Sequence, residues 1–123
     1  MVKSGHKKIS ILVRIFLILS ILLVSGISMA CHQNDVVRYE VTGNADSVDI
    51  TVNTDTGGTE QYNDVGLPWR MEYGGFSESY VYIYAHNNGD YGTINIFIYV
   101  NGKLFRSATS SGPYSYAVVY GDK

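Results

Sequence analysis

Ser79-Tyr-Val-Tyr-Ile-Tyr-Ala-His86, then Asn87-Asn-Gly-Asp-Tyr-Gly92, then Thr93-Ile-Asn-Ile-Phe-Ile-Tyr-Val-Asn101 is the stretch that decides the fold. Two runs of β-branched and aromatic residues alternate with period two around a Gly/Asn/Asp cluster, which predicts a β-hairpin. Val81, Ile83 and Ala85 share one face of the first arm, and Ile94, Ile96, Ile98 and Val100 share one face of the second. These aliphatic residues are the expected core. The opposite faces carry Tyr80, Tyr82 and Tyr84 on one arm and Asn95, Phe97 and Tyr99 on the other.

The same period extends outward in both directions. Val36 to Thr42 reads as a first strand with Val37, Tyr39 and Val41 inward, and Val48 to Asn53 as a second with Val48, Ile50 and Val52 inward. Asp55-Thr-Gly-Gly58 is a turn, and Thr59 to Val65 a third strand. Leu67, Pro68 and Trp69 form a structural motif. Pro68 cannot donate to a ladder and marks an edge or a crossing between sheets, and Trp69 is the expected plug between them. Arg70 to Tyr73 is a short strand ended by Gly74-Gly75. After the hairpin, Asn101-Gly102 turns tightly into Lys103 to Ala108, and Tyr114 to Tyr120 is the last strand. Regular spacing without a helical period predicts an all-β fold: an antiparallel immunoglobulin-like β-sandwich of about seven to eight strands over residues 36–123.

Charge divides the chain. Lys3, Lys7, Lys8 and Arg14 precede every acid, whereas residues 31–123 hold five bases against eleven acids, a net charge of −6. Such a domain repels nucleic acid, because no basic stripe exists to displace phosphate counterions. The basic start leads into the apolar run Ile15 to Val24 and the small residues Ser25 to Ala30, the layout of an export signal or membrane anchor over residues 1–30. A helix from Ile15 to Ala30 would span roughly 24 Å against a hydrocarbon core of about 30 Å. The basic flank puts the domain on the extracytoplasmic face of a cell membrane.

Cys31 is the single cysteine, so no intramolecular disulfide forms and the domain relies on its core. Ser28-Met-Ala-Cys31 resembles the lipobox of bacterial lipoproteins, with Ser28 where leucine is usual. That resemblance makes Cys31 a lipidation site, followed by a tether over residues 31–35.

The ordered pieces also resemble the mycobacterial membrane protein small family, MmpS. They are Tyr39-Glu-Val-Thr-Gly43 with Ala45, Val48 and Ile50, Gly57-Gly58, Asn63-Asp-Val-Gly-Leu-Pro-Trp69 and Ile98-Tyr-Val-Asn-Gly102. The resemblance implies a β-sandwich outside the cytoplasm, behind a membrane segment, serving as an accessory subunit of a large transporter. Family members often carry two cysteines in the last strands, and this chain has none there.

Nothing in the residue pattern predicts catalysis, a cofactor or a metal site. His32 and His86 are the only histidines after the leader, and no serine sits in a nucleophile elbow. Asp55, Asn88 and Asp90 are explained by turn chemistry. Eleven tyrosines remain the informative feature. Tyr82, Tyr84, Phe97 and Tyr99 are expected to adjoin across the hairpin. The simpler reading makes that face a second core or an aromatic ladder. The functional reading makes it a partner-binding patch for a protein or a glycan. The expected role is that of a non-catalytic, membrane-tethered binding or accessory domain. The alternative is a stand-alone glycan- or peptide-binding adhesive module.

Overall fold

The computed structural model describes residues 35–123. The export segment, Cys31 and the tether up to Asn34 lie outside the described residues. Eight strands follow one another: β1 (Asp35–Gly43), β2 (Val48–Asn53), β3 (Thr59–Val65), β4 (Trp69–Phe76), β5 (Tyr80–Asn87), β6 (Thr93–Val100), β7 (Lys103–Ser111) and β8 (Tyr116–Asp122). They form two antiparallel four-stranded sheets, ordered β4-β1-β6-β7 and β3-β2-β5-β8. Among the described residues no helix is long and apolar enough to cross a membrane.

Period two builds the core as expected. Val37, Tyr39 and Val41 of β1, Val48, Ile50 and Val52 of β2, Val81, Ile83 and Ala85 of β5, and Ile94, Ile96 and Ile98 of β6 are all completely buried in one apolar cluster. Every one of these positions alternates with a residue directed away from the cluster.

The predicted hairpin between β5 and β6 does not form. β5 pairs with β2 and β8, whereas β6 pairs with β1 and β7. The Asn87–Gly92 cluster is a crossing from one sheet to the other. Asn87, completely buried, holds that crossing: its amide donates to the Tyr91 carbonyl (2.8 Å) and its Oδ1 accepts the Gly89 N–H (2.9 Å). The β1–β2 crossing runs alongside it. Asn44 N–H donates to the Thr93 carbonyl (3.1 Å), Thr93 N–H donates to Asn44 Oδ1 (2.7 Å), and Asn88 N–H donates to the Ser47 carbonyl (3.1 Å). A side chain alternating in and out satisfies a hairpin and a crossing equally, so the period alone cannot choose between them.

The tight hairpin is instead β6–β7. Asn101 and Gly102 hold φ of 52° and 79°, the pair of positive angles that a two-residue turn requires and that Asn-Gly supplies. Pro68 does stand at a crossing, between β3 of one sheet and β4 of the other. Trp69 packs between the sheets at the sandwich margin, half-buried against the core, with its ring 5.1 Å from that of Tyr62 in the other sheet. β4 runs through Gly74-Gly75 to Phe76, which is completely buried. Asp35 belongs to β1 rather than to a tether.

Candidate functional site

Alternation sends the polar and aromatic halves of β5 and β8 to the outside of their sheet. The register sets Tyr82 opposite Tyr120, Tyr84 opposite Val118 and His86 opposite Tyr116. Three ring contacts knit the face together. Tyr80 stacks on Tyr82 at 6.5 Å and lies 6.3 Å from Tyr120, and Tyr84 lies 5.9 Å from Tyr116. The centre is the more sheltered, with Tyr82 and Tyr84 half-buried. Tyr80, Tyr116 and Tyr120 are 43%, 61% and 59% exposed, and Val118 lies exposed between the last two. The face is therefore no second core. It is an apolar, hydroxyl-tipped surface open to solvent.

This surface carries little charge. Burial, and then the neighbouring Tyr80 and Tyr84, push the Tyr82 phenol above its ordinary pKa, so it stays a neutral donor at physiological pH. On one flank His86 Nδ1 meets Asn88 Oδ1 at 3.2 Å, and Asn88 donates its amide to Asp49 Oδ1 at 2.9 Å. Asp49 also accepts the Asp64 N–H at 2.8 Å. The Asn88 amide, followed by that N–H, holds the Asp49 carboxyl below the usual range. These bonds tie the strand ends together. Among the described residues, no three His, Cys, Asp or Glu side chains gather as a metal site would need.

Phe97 and Tyr99, expected beside Tyr82 and Tyr84, sit on the outer face of the other sheet. There Tyr99 pairs with Arg38, whose guanidinium lies 4.2 Å above its ring, and Phe97 pairs with Glu40. Arg38 contacts Glu40 at 3.3 Å, and Arg70 reaches Glu40 at 3.9 Å and Glu72 at 3.5 Å. That face is an ion-pair lattice laid over two rings. The four residues expected to share a patch thus occupy opposite sides of the sandwich, because β5 and β6 lie in different sheets. Leu67, Pro68 and Trp69 stand at the β3–β4 end and take no part in either face.

Tyr116, Val118 and Tyr120 complete the face begun by the β5 tyrosines, a membership that the sequence alone does not show. The signal was present in the alternation Tyr116-Ala-Val-Val-Tyr120, but only the β5–β8 pairing reveals which strand it accompanies. Beside it, between the two edge strands β7 and β8, lies an open groove of about 500 Å³. Leu104, Phe105, Val118, Val119 and Tyr120 line it together with Arg106, whose guanidinium stands 5.0 Å over the Phe105 ring.

No protein-family model matches the chain, and no curated protein matches it. Among solved structures it is similar to the crystal structure of a DUF4425 family protein from Bacteroides ovatus. Sequence identity is 13% and the TM-score 0.41, over 72% of this chain and 92% of that one.

Proposed function

We propose that this chain is a non-catalytic binding module of the cell envelope, tethered through its N-terminal segment. Its contact surface is the outer face of β5 and β8. One observation carries the reading: Tyr80, Tyr82, Tyr84, Tyr116 and Tyr120 form a continuous, solvent-facing aromatic surface around Val118. Tyrosine offers large, rigid contact area at low entropy cost, with a hydroxyl to orient a partner. A flat, nearly uncharged aromatic sheet face suits a glycan chain or an extended peptide, either of which presents stacking surface and hydrogen-bonding groups together. Half-buried rings at the centre and exposed rings around them give the partner a firm seat.

The role of accessory subunit to a membrane transporter is a second reading. It is supported by the Asn63–Trp69 and Ile98–Gly102 motifs, which resemble MmpS, together with the apolar leader. On that reading the same tyrosine face meets the transporter.

Whole-cell crosslinking and an immobilised glycan and peptide panel test the proposal with two double variants. Tyr80→Ala with Tyr120→Ala abolishes capture and leaves the melting temperature nearly unchanged. Phe97→Ala with Tyr99→Ala, on the opposite face, leaves capture intact. Equal capture by the parent chain and the Tyr80/Tyr120 variant overturns the reading. A crosslink to a multi-span exporter favours the transporter role over the glycan or peptide.

A further inference from the structure

Four strands end the two sheets, and three of them are guarded against pairing with another chain. β3 carries Glu60 and Asp64 and breaks register between Val48 and Ile50 of its neighbour. β4 carries Arg70 and Glu72, and its pairing is irregular near Asp35 and Val37. β7 carries Lys103 and Arg106 and breaks register at Ile98 and Tyr99. Charges and bulges of this kind are how sheet edges avoid association. β8 has neither. Its pairing with β5 is unbroken from Tyr80 to His86, and it holds no proline and no charge before Asp122. Tyr116, Val118, Val119 and Tyr120 are residues that favour a strand.

We infer that the free edge of β8 pairs antiparallel with β8 of a second copy of this chain, about a twofold axis through Val118. The sequence is self-complementary about that residue. Tyr116 of one copy falls opposite Tyr120 of the second, and Ala117 falls opposite Val119, while Val118 meets its own counterpart. A twofold interface needs this property, since each residue's partner must accept it in return. No ionic group meets its like: Asp122 falls opposite Tyr114. The acidic balance of the domain therefore does not oppose this edge locally.

The pairing also continues a contact already present. Within one copy Tyr84 stands against Tyr116 and Tyr80 against Tyr120. Joining the edges brings Tyr116 beside Tyr120 of the second copy, so one aromatic row runs across both molecules, with cross-strand ring pairs at the seam. The two four-stranded sheets become one of eight. The backbone edge is consumed while the tyrosine face stays open, so the inference does not depend on the binding role.

The interface is small. Edge pairing covers the flanks of the four seam tyrosines and leaves their outward faces open, adding on the order of 200–300 Å². With the strand backbones, the total stays below the ~1,200 Å² of a standard specific contact, in the range of weak, transient interfaces. Association is therefore weak and concentration-dependent. Confinement to a membrane would favour it through a raised effective concentration.

The full chain in detergent, carrying Cys31→Ser, tests this by sedimentation across a concentration series and by cysteine crosslinking. Sedimentation shows a monomer–dimer equilibrium, and Val118→Lys, which sets two ammonium groups against each other, weakens it about tenfold or more. Under mild oxidation Val118→Cys links two copies, because directly opposed strand residues hold their Cβ atoms ~4.5–5.5 Å apart. Tyr116→Cys mixed with Tyr120→Cys links likewise, whereas Tyr116→Cys alone does not. Gln61→Cys, on the opposite edge of the same sheet, is the control. The crosslinks keep the inference testable if Val118→Lys fails to fold. A monomer up to ~500 μM, or crosslinking at Val118 no greater than at Gln61, overturns it whatever else the edge binds.

Discussion

The Tyr39 hydroxyl, buried in one sheet, donates at 2.5 Å to Oδ1 of Asn53, which ends β2 of the other sheet. The same Asn53 Oδ1 accepts the Tyr82 N–H at 2.8 Å, and its amide donates to the Tyr80 carbonyl at 2.6 Å. One phenol therefore bolts the sheets together and anchors the first residues of the strand that bears the tyrosine face. Burial explains the cost of breaking this junction, since an unpaired polar group cannot turn to water. Tyr39→Phe should cost about 1–2 kcal/mol, with Asn53 keeping its other partners. Asn53→Ala should cost about 3 kcal/mol, because it leaves the Tyr82 N–H and the Tyr80 carbonyl unpaired and the phenol with only the residue-53 backbone carbonyl, 3.2 Å away. Urea unfolding of the two variants gives the order, and equal losses would remove Asn53 from the centre of the network.

The same phenol makes the fold sensitive to alkali. Desolvation pushes the Tyr39 pKa far above its ordinary value, against a smaller lowering by the Tyr82 N–H. Below about pH 10 the group is neutral in both folded and unfolded chains, and its contribution is fully present. As pH rises past that point the unfolded chain releases the proton and the folded one retains it, so stability falls by up to about 1.4 kcal/mol per pH unit. Tyr39→Phe lacks this loss. Unfolding midpoints measured at pH 8 and pH 11 should show the gap between parent and variant narrowing at the higher pH.

Much of this architecture was legible in the sequence, and the failures share a physical cause. In and out along each strand follows from period two, which puts Val37, Ile50, Ile83 and Ile96 in the core where the structure has them. Asn101-Gly102 announced its turn because two successive positive φ angles leave few residue choices. Asn87 to Gly92 has turn-forming residues too, but a longer loop constrains neither the turn nor the partner strand. The buried Asn87 amide and the backbone bonds to the β1–β2 crossing fix its path, and neither is written in composition. The tyrosine face was half legible for that reason. Its β5 members alternate visibly, while Phe97 and Tyr99 join it only through a β5–β6 pairing that does not exist. Gly74-Gly75 reads as a strand end and hides Phe76, whereas β4 passes through with Gly75 at a φ of 67°.

Acid should loosen the junction of β1 with the far end of β8. Lys123 Nζ meets Asp35 Oδ2 at 2.7 Å, and the Asn101 amide donates to Asp35 Oδ1 at 2.8 Å. The Lys123 ammonium, and then that amide, hold the Asp35 carboxyl below its usual range. A depressed carboxyl contributes stability above its unfolded value of about 3.9 and loses it as pH falls through the folded value. The Asp35 side chain keeps 28% of its surface exposed, so the gain is partly screened and amounts to at most about 1 kcal/mol. Asp35→Asn should lower stability by that much at pH 7 and match the parent near pH 2. Undiminished loss at pH 2 would trace the effect to packing instead of charge.

Gly43 marks where the two sheet crossings touch, and there the backbone leaves no room. It holds a φ of +137°, and a Cβ would stand 2.0 Å from the Thr93 carbonyl oxygen and 2.9 Å from its carbon. Both obstacles are main chain, so relief requires moving the β5–β6 crossing off the β1–β2 crossing, together with the Asn44 and Thr93 bonds that join them. Gly121 offers the contrast. A Cβ there would meet Arg106 Nε at 2.5 Å, but the arginine side chain can swing away. Gly43→Ala should therefore cost about 3 kcal/mol or more, while Gly121→Ala should cost under about 1 kcal/mol. Thermal unfolding of both variants checks this, and a mild Gly43→Ala would mean that the crossings slide past one another without loss.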